Sequence, residues 1–207
     1  MPTQSAVSAA SNAAKIAVVY HSGFGHTKVQ AKAVARGAAA VPGAEAILIP
    51  VEEAEARAAE FDAADAIVFG APTYMGSVSA PFKAFMDWSS KVWFTQGWKD
   101  KLAAGFTNSA SQSGDKLNSL IQLAVFAAQH GMVWVSVGLM PGNNSSKGSP
   151  EDLNRIGSYL GAMAQSNADE GPDKGPSRSD LATAEHLGRR VAERAVAQAS
   201  IAAQIAA

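Results

Sequence analysis

The amino-acid sequence predicts an open α/β fold, a sheet of five parallel strands with helices on both faces, and three observations carry that expectation. Short runs such as IAVVY, AILIP and AIVFG are apolar at nearly every position instead of every second one, the pattern of strands buried from both sides. Ala-rich stretches of helix length separate them, and right-handed crossovers leave an open parallel sheet as the natural arrangement of such an alternation. The carboxyl ends of three runs are rich in small polar residues, which is where open α/β sheets bind their ligands.

In chain order, residues 15–20, 44–49, 66–70, 103–107 and 132–137 read as the strands. Helices are expected over residues 27–40, in a short piece spanning residues 54–60, and over residues 80–90 and 115–129. The 115–129 segment sets Leu117, Leu120, Ile121, Ala124 and Val125 on one side. A last helix lies in PSRSDLATAEHLGRRVAERAVAQ, where Ser177 stands three residues before Asp180 as a capping signal and Leu181, Ala184, Leu187 and Val191 form a stripe. Residues 138–178 are rich in Gly, Pro, Ser and Asn, and an excursion of that length reads as a lid or a subunit contact. Residues 1–14 lack the basic and continuously apolar regions of a secretory signal and read as a flexible tail, leaving residues 15–207 as a single domain.

Composition narrows the chemistry. With 17 Lys and Arg against 18 Asp and Glu, the chain has no bulk charge to attract nucleic acid or an anionic membrane, so a small-molecule partner is expected. The apolar runs fall well short of the roughly 20 residues of a membrane span. The absence of cysteine excludes thiolate nucleophiles, cysteine-ligated metals and disulfides, and fits a cytoplasmic location. Redox work would need a borrowed cofactor.

HSGFGHT, after the first strand, contains Gly23 and Gly25 but neither the third glycine of a dinucleotide fingerprint nor a Walker motif. It reads equally as a plain tight turn and as a phosphate site in which Ser22, Thr27 and the first helical amides hold an anion, helped by a helix dipole worth up to ~2 kcal/mol. APTYMGS follows the third strand, at the crevice where strand order reverses if the first strand is central. Pro72 and Gly76 shape this turn, while Thr73, Tyr74 and Met75 could line a planar ring. After the fourth strand, Asn108, Ser109, Ser111, Gln112 and Ser113 offer neutral hydrogen-bonding groups, or simply a solvated loop. His21 and His26 lack clustered carboxylates for a metal site, and the hydrolase elbow G-x-S-x-G is absent.

Taken together and in this order, YHSGFGHT, GAPTYMGS and AAQHGMVWVSVG resemble the FMN-binding flavodoxin-like superfamily, and within it the WrbA-type NAD(P)H:quinone oxidoreductases. The resemblance implies a flavodoxin-like sheet in the order 2-1-3-4-5, non-covalently held FMN, reduction by NADPH or NADH, two-electron transfer to a quinone-like acceptor, and a homodimer or homotetramer. It implies that Ser22, Gly23, Phe24, Gly25, His26 and Thr27 bind the FMN phosphate. Pro72, Thr73, Tyr74, Met75 and Gly76 would bind the ring, and Asn108, Ser109, Ala110, Ser111, Gln112 and Ser113 the ribityl chain and ring edge. His130 would close the pocket, and Trp93 would stack above the flavin from a neighbouring subunit. Trp93, Phe24 and His130 would then face the substrate, with the flavin and no side chain as the reacting centre. The family's arginine-phenylalanine pair is replaced by Tyr74 and Met75, which removes a guanidinium, and its glycine-rich third loop has become NSASQS. The alternatives are a flavodoxin-type one-electron carrier and a non-catalytic flavin-binding protein.

Overall fold

The computed structural model describes residues 13–206. Residues 1–12 of the expected tail lie outside the described residues, and Ala14 already belongs to the first strand, where it pairs with Ala44.

The chain runs β1 (Ala14–Tyr20), α1 (His26–Ala39), β2 (Ala44–Pro50), a single 3₁₀ turn (Val51–Glu53), α2 (Ala58–Asp62), β3 (Ala66–Tyr74), β4 (Ser77–Val78), α3 (Ala80–Trp88) and α4 (Ser90–Phe94). It continues through β5 (Leu102–Ser109), α5 (Lys116–Gln129), β6 (Val133–Trp134), β7 (Ala162–Gln165) and α6 (Arg178–Ala206). The sheet order is β2-β1-β3-β5-β6, parallel throughout this path, as expected for a flavodoxin-like fold. Two features depart from five simple strands. β4 folds back antiparallel on the end of β3, and the fifth position is shared. β6 pairs with β5 at Leu102 and Ala103, while β7 pairs with it from Phe106 to Ser109. The excursion after Gly138, read as a lid or subunit contact, therefore returns to supply the upper half of the fifth strand.

Alternation along each strand divides the core in two. Ile16, Val18 and Tyr20 pack with α1 and α6, whereas Ala17 and Val19 face the aromatic cluster of Phe61, Phe69, Phe82, Phe85, Trp98 and Phe126. On the first face, Gly37 and Gly188 let the backbones of α1 and α6 touch: a Cβ on Gly188 would fall on the Val34 carbonyl oxygen, and one on Gly37 on that of Glu185. The expected start of α6 is also present, since the Asp180 amide donates to Ser177 Oγ at 3.3 Å.

The stripe assigned to α5 is out of phase. Leu120, Leu123, Phe126 and Ala127 are buried, and Leu117, Ile121 and Val125 are exposed. The segment is apolar on two faces, so its spacing allowed a helix without deciding which face meets the sheet.

Candidate functional site

The first three expected loops meet at the carboxyl edge of the sheet because β1, β3 and β5 are adjacent and parallel. They enclose a cavity of about 370 Å³ lined by Ser22, Phe24, His26, Thr27, Pro72, Thr73, Tyr74, Met75, Asn108, Ser109 and Ala110. Its remaining wall, Ser166, Asn167 and Ala168, follows β7 and escaped the sequence reading. The available signal was AMAQSNAD, a short apolar run into small polar residues like the other three, hidden in a loop-rich stretch.

At the phosphate-type loop, Gly25 has φ 90° and precedes α1 without any side-chain cap, and no acidic residue occupies the first turn. A Cβ on Gly25 would also stand 2.8 Å from Pro172 Cγ. The Lys28 amide donates to Ser22 Oγ at 3.0 Å, and the Val29 amide makes the first backbone bond, to Gly25 O at 3.1 Å. The amides of His26 and Thr27 precede that first intrahelical bond and offer the positive end of the helix to the cavity. His26 Nε2 lies 3.0 Å from the Glu170 carbonyl, which ties the excursion to this turn.

The second loop is the end of a strand followed by a hairpin turn, with Met75 at φ 50° and Gly76 at φ 77°. Pro72 is tolerated in β3 because β1 stops pairing at Gly70, leaving β3 only one neighbour there. Tyr74 packs edge-on to Phe24 with centroids 6.1 Å apart, and its hydroxyl lies against Gly23, which joins the first loop to the second. Thr73 Oγ1 lies 2.7 Å from Thr107 Oγ1 and 2.8 Å from Ser119 Oγ, so its hydroxyl braces β3, β5 and α5 from inside.

In the third loop, Ser166 Oγ donates to Asn108 Oδ1 at 3.1 Å and Gln165 Nε2 to the Ala110 carbonyl at 2.9 Å. Beneath it, Lys116 Nζ donates to Ser109 Oγ and to the Ser111 carbonyl, each at 2.7 Å. Gln112 and Ser113 do not line the cavity; they face a separate hollow with Asn118 and Arg155.

Trp93 and His130 lie at the opposite edge of the sheet. A crossover helix runs antiparallel to its strands, so the carboxyl end of α5 returns to their amino ends, where the Asp100 amide meets Gly131 O. His130 therefore does not close this chain's cavity, and at 2% exposure it is shut within Trp98 and Phe126. Trp93, in the helix that follows Ser89, is 47% exposed and remote from the cavity of its own chain.

Ser89 Oγ gives its hydrogen to the Met86 carbonyl at 2.8 Å, so His130 Nε2, 3.0 Å away, must be the donor to Ser89, leaving a buried, unpartnered Nδ1. Burial accordingly lowers the His130 pKa from 6.5 to about 4. The unfolded chain takes up this proton near pH 6.5 and the folded chain only near 4, so stability at this residue is full above pH 7 and falls through that window. The loss should reach up to ~3 kcal/mol once both forms are protonated. The urea midpoint of wild type should fall relative to that of His130→Phe as pH falls from 7.5 to 4.5; parallel curves would refute the assignment.

Among the described residues, no group of three or more His, Asp or Glu is placed to hold a metal, and no helix is long and apolar enough to cross a membrane.

The fold and the site define a flavodoxin-like α/β protein whose cavity opens at the strand-order reversal. Residues 48–145 match the family described as NADPH-dependent FMN reductase. The chain is 46% identical over 182 residues to Flavodoxin FldP of Pseudomonas aeruginosa, covering 86% of this chain and 95% of that one. It is 35% identical over 203 residues to an NAD(P)H dehydrogenase (quinone) of Archaeoglobus fulgidus, covering 87% and 96%. The crystal structure of the flavodoxin, WrbA-like protein from Agrobacterium tumefaciens superposes with a TM-score of 0.70 at 43% identity, covering 89% of this chain and 99% of that one. The chain belongs to the WrbA-type family of flavodoxin-like proteins.

Proposed function

We propose that this protein is an FMN-dependent oxidoreductase that takes electrons from NADPH or NADH and passes them in pairs to quinones or similar acceptors. The observation that carries the reading is the meeting of a helix N-terminus whose N-cap Gly25 supplies no side chain, an apolar slot and a polar loop around one cavity. The residues present fit FMN. The α1 amides, Ser22 and Thr27 suit a phosphate in a turn that a Cβ would obstruct; Tyr74 and Met75 suit a flat ring; Asn108 and Ser109 suit a hydroxylated chain and ring edge. Bound FMN would supply the hydride and electron chemistry, and the chain's task is to bind, orient and exclude water. With Trp93 exposed at the far edge, its contact to the flavin would come from a second copy, in a homodimer or homotetramer. Residues 15–207 then act as one domain in the cytoplasm. Support comes from the quinone dehydrogenase and FMN reductase relatives.

The test is direct. Purified protein should take up FMN, show flavin absorption, and oxidise NADPH or NADH with benzoquinone. A colourless protein that takes up no FMN would end the reading. The relative named a flavodoxin favours a second one, an electron carrier, and FMN binding without nicotinamide turnover would return it.

Ser22→Ala should weaken FMN binding by about 1.5–3 kcal/mol, the worth of one hydrogen bond to a charged group. The Ser22 hydroxyl already accepts from the Lys28 amide, so its proton is free for the phosphate. Fluorescence titration measures it, and wild-type affinity would place the phosphate elsewhere.

A further inference from the structure

Lys116 is fully buried as the first residue of α5, an unfavourable place for an ammonium because it faces the positive end of the helix and has lost its water. Among the described residues no carboxylate is reserved for it: the nearby Asp180 is held by Arg155 through two hydrogen bonds of 2.8 and 2.7 Å and also accepts from the Gln165 amide at 2.9 Å. Burial lowers the Lys116 pKa to about 8, with Asp180 opposing and Arg155 adding to the shift, so it remains mostly charged at pH 7. Its ammonium is spent on the third loop, at Ser109 Oγ and the Ser111 carbonyl. Ser109 lines the cavity, so the cation stands one hydrogen bond behind the wall.

We propose that Lys116 is a positioning residue of the flavin site, which holds the Ser109 to Ser111 loop in place, where the Ser109 hydroxyl itself donates to the Ser111 carbonyl at 2.9 Å, and by its own charge behind that wall makes the cavity favour reduced over oxidised FMN. This inference rests on the FMN reading above. Hydride from NADPH or NADH brings two electrons and one proton to a neutral ring, leaving one negative charge on it. Positive charge behind the wall therefore stabilises the product of that step more than its reactant.

FMN dissociation constants from fluorescence quenching, and two-electron potentials against a reference dye, should be measured on wild type, Lys116→Met, Lys116→Arg and Lys116→Gln. Lys116→Met is expected to bind oxidised FMN about tenfold more weakly and reduced FMN about a hundredfold more weakly, a potential drop of about 30 mV for a two-electron couple. Lys116→Arg keeps the charge and should restore most of the potential, and in wild type the advantage should fade as pH rises past 8. Lys116→Met with wild-type affinity and potential, or Lys116→Arg as displaced as Lys116→Met, would overturn the inference. Should Lys116→Met fail to fold by far-UV circular dichroism, Lys116→Gln decides: a potential about 30 mV below wild type, the same tenfold ratio, supports the role, and an unchanged potential overturns it. A wild type that binds no FMN would overturn both readings, whereas a wild type that binds beside an unaltered Lys116→Met overturns only this one.

Discussion

Gly25→Val is expected to lower FMN affinity by at least about a hundredfold while the chain remains folded. The residue sits at φ 90°, where a side chain costs about 1–2 kcal/mol and a β-branched one is least tolerated. Its Cβ would also stand 2.8 Å from Pro172 Cγ and 3.0 Å from Pro172 Cβ, so the turn or the excursion behind it must shift. A turn that relaxes toward ordinary φ carries the His26 and Thr27 amides away from the phosphate position. Misplacing both donors, each worth about 1.5–3 kcal/mol toward a charged group, accounts for the expected loss. The core does not depend on this turn, so far-UV circular dichroism should be retained. Wild-type affinity in a fluorescence titration would show that the phosphate does not lie at α1.

Gly188→Leu is expected to destabilise the fold by about 3 kcal/mol or more, the upper range for overpacking a tight contact. A Cβ there would meet the Val34 carbonyl and come within 3.1 Å of the Ala38 amide, both backbone atoms of α1 that cannot rotate away. The helices must separate, and their contact covers β1 through Val34, Ala38, Ala184 and Leu187. A fall in the urea midpoint at unchanged slope is the expected reading. A wild-type midpoint would mean that the two helices are not held in backbone contact.

The sheet and three of the four cavity walls were legible in the sequence for a simple physical reason. Strands buried on both faces must be apolar throughout, and the turn residues that follow them are local signals, so KIAVVY with HSGFGHT, AIVFG with APTYMGS, and the run into NSASQS each announced a strand and its loop. The split fifth strand was not legible, because AMAQ is small, short and separated from Val133 and Trp134 by a long excursion, and only pairing with β5 makes it a strand. The phase of α5 was undecided because two faces are apolar and the sheet selects one. Lys116 reads as an ordinary surface cation in GDKLNS until the loop folds over it. His130 was assigned to the pocket by motif, yet the crossover through α5 returns the chain to the other edge of the sheet and places it there, while Trp93, assigned to a neighbouring subunit's flavin, stands exposed at that same edge. Local chemistry and strand burial are properties of short segments and could be read directly from the sequence; which face packs, which charge is buried and which edge a residue reaches depend on contacts between segments far apart in the chain, and only the tertiary structure decided them.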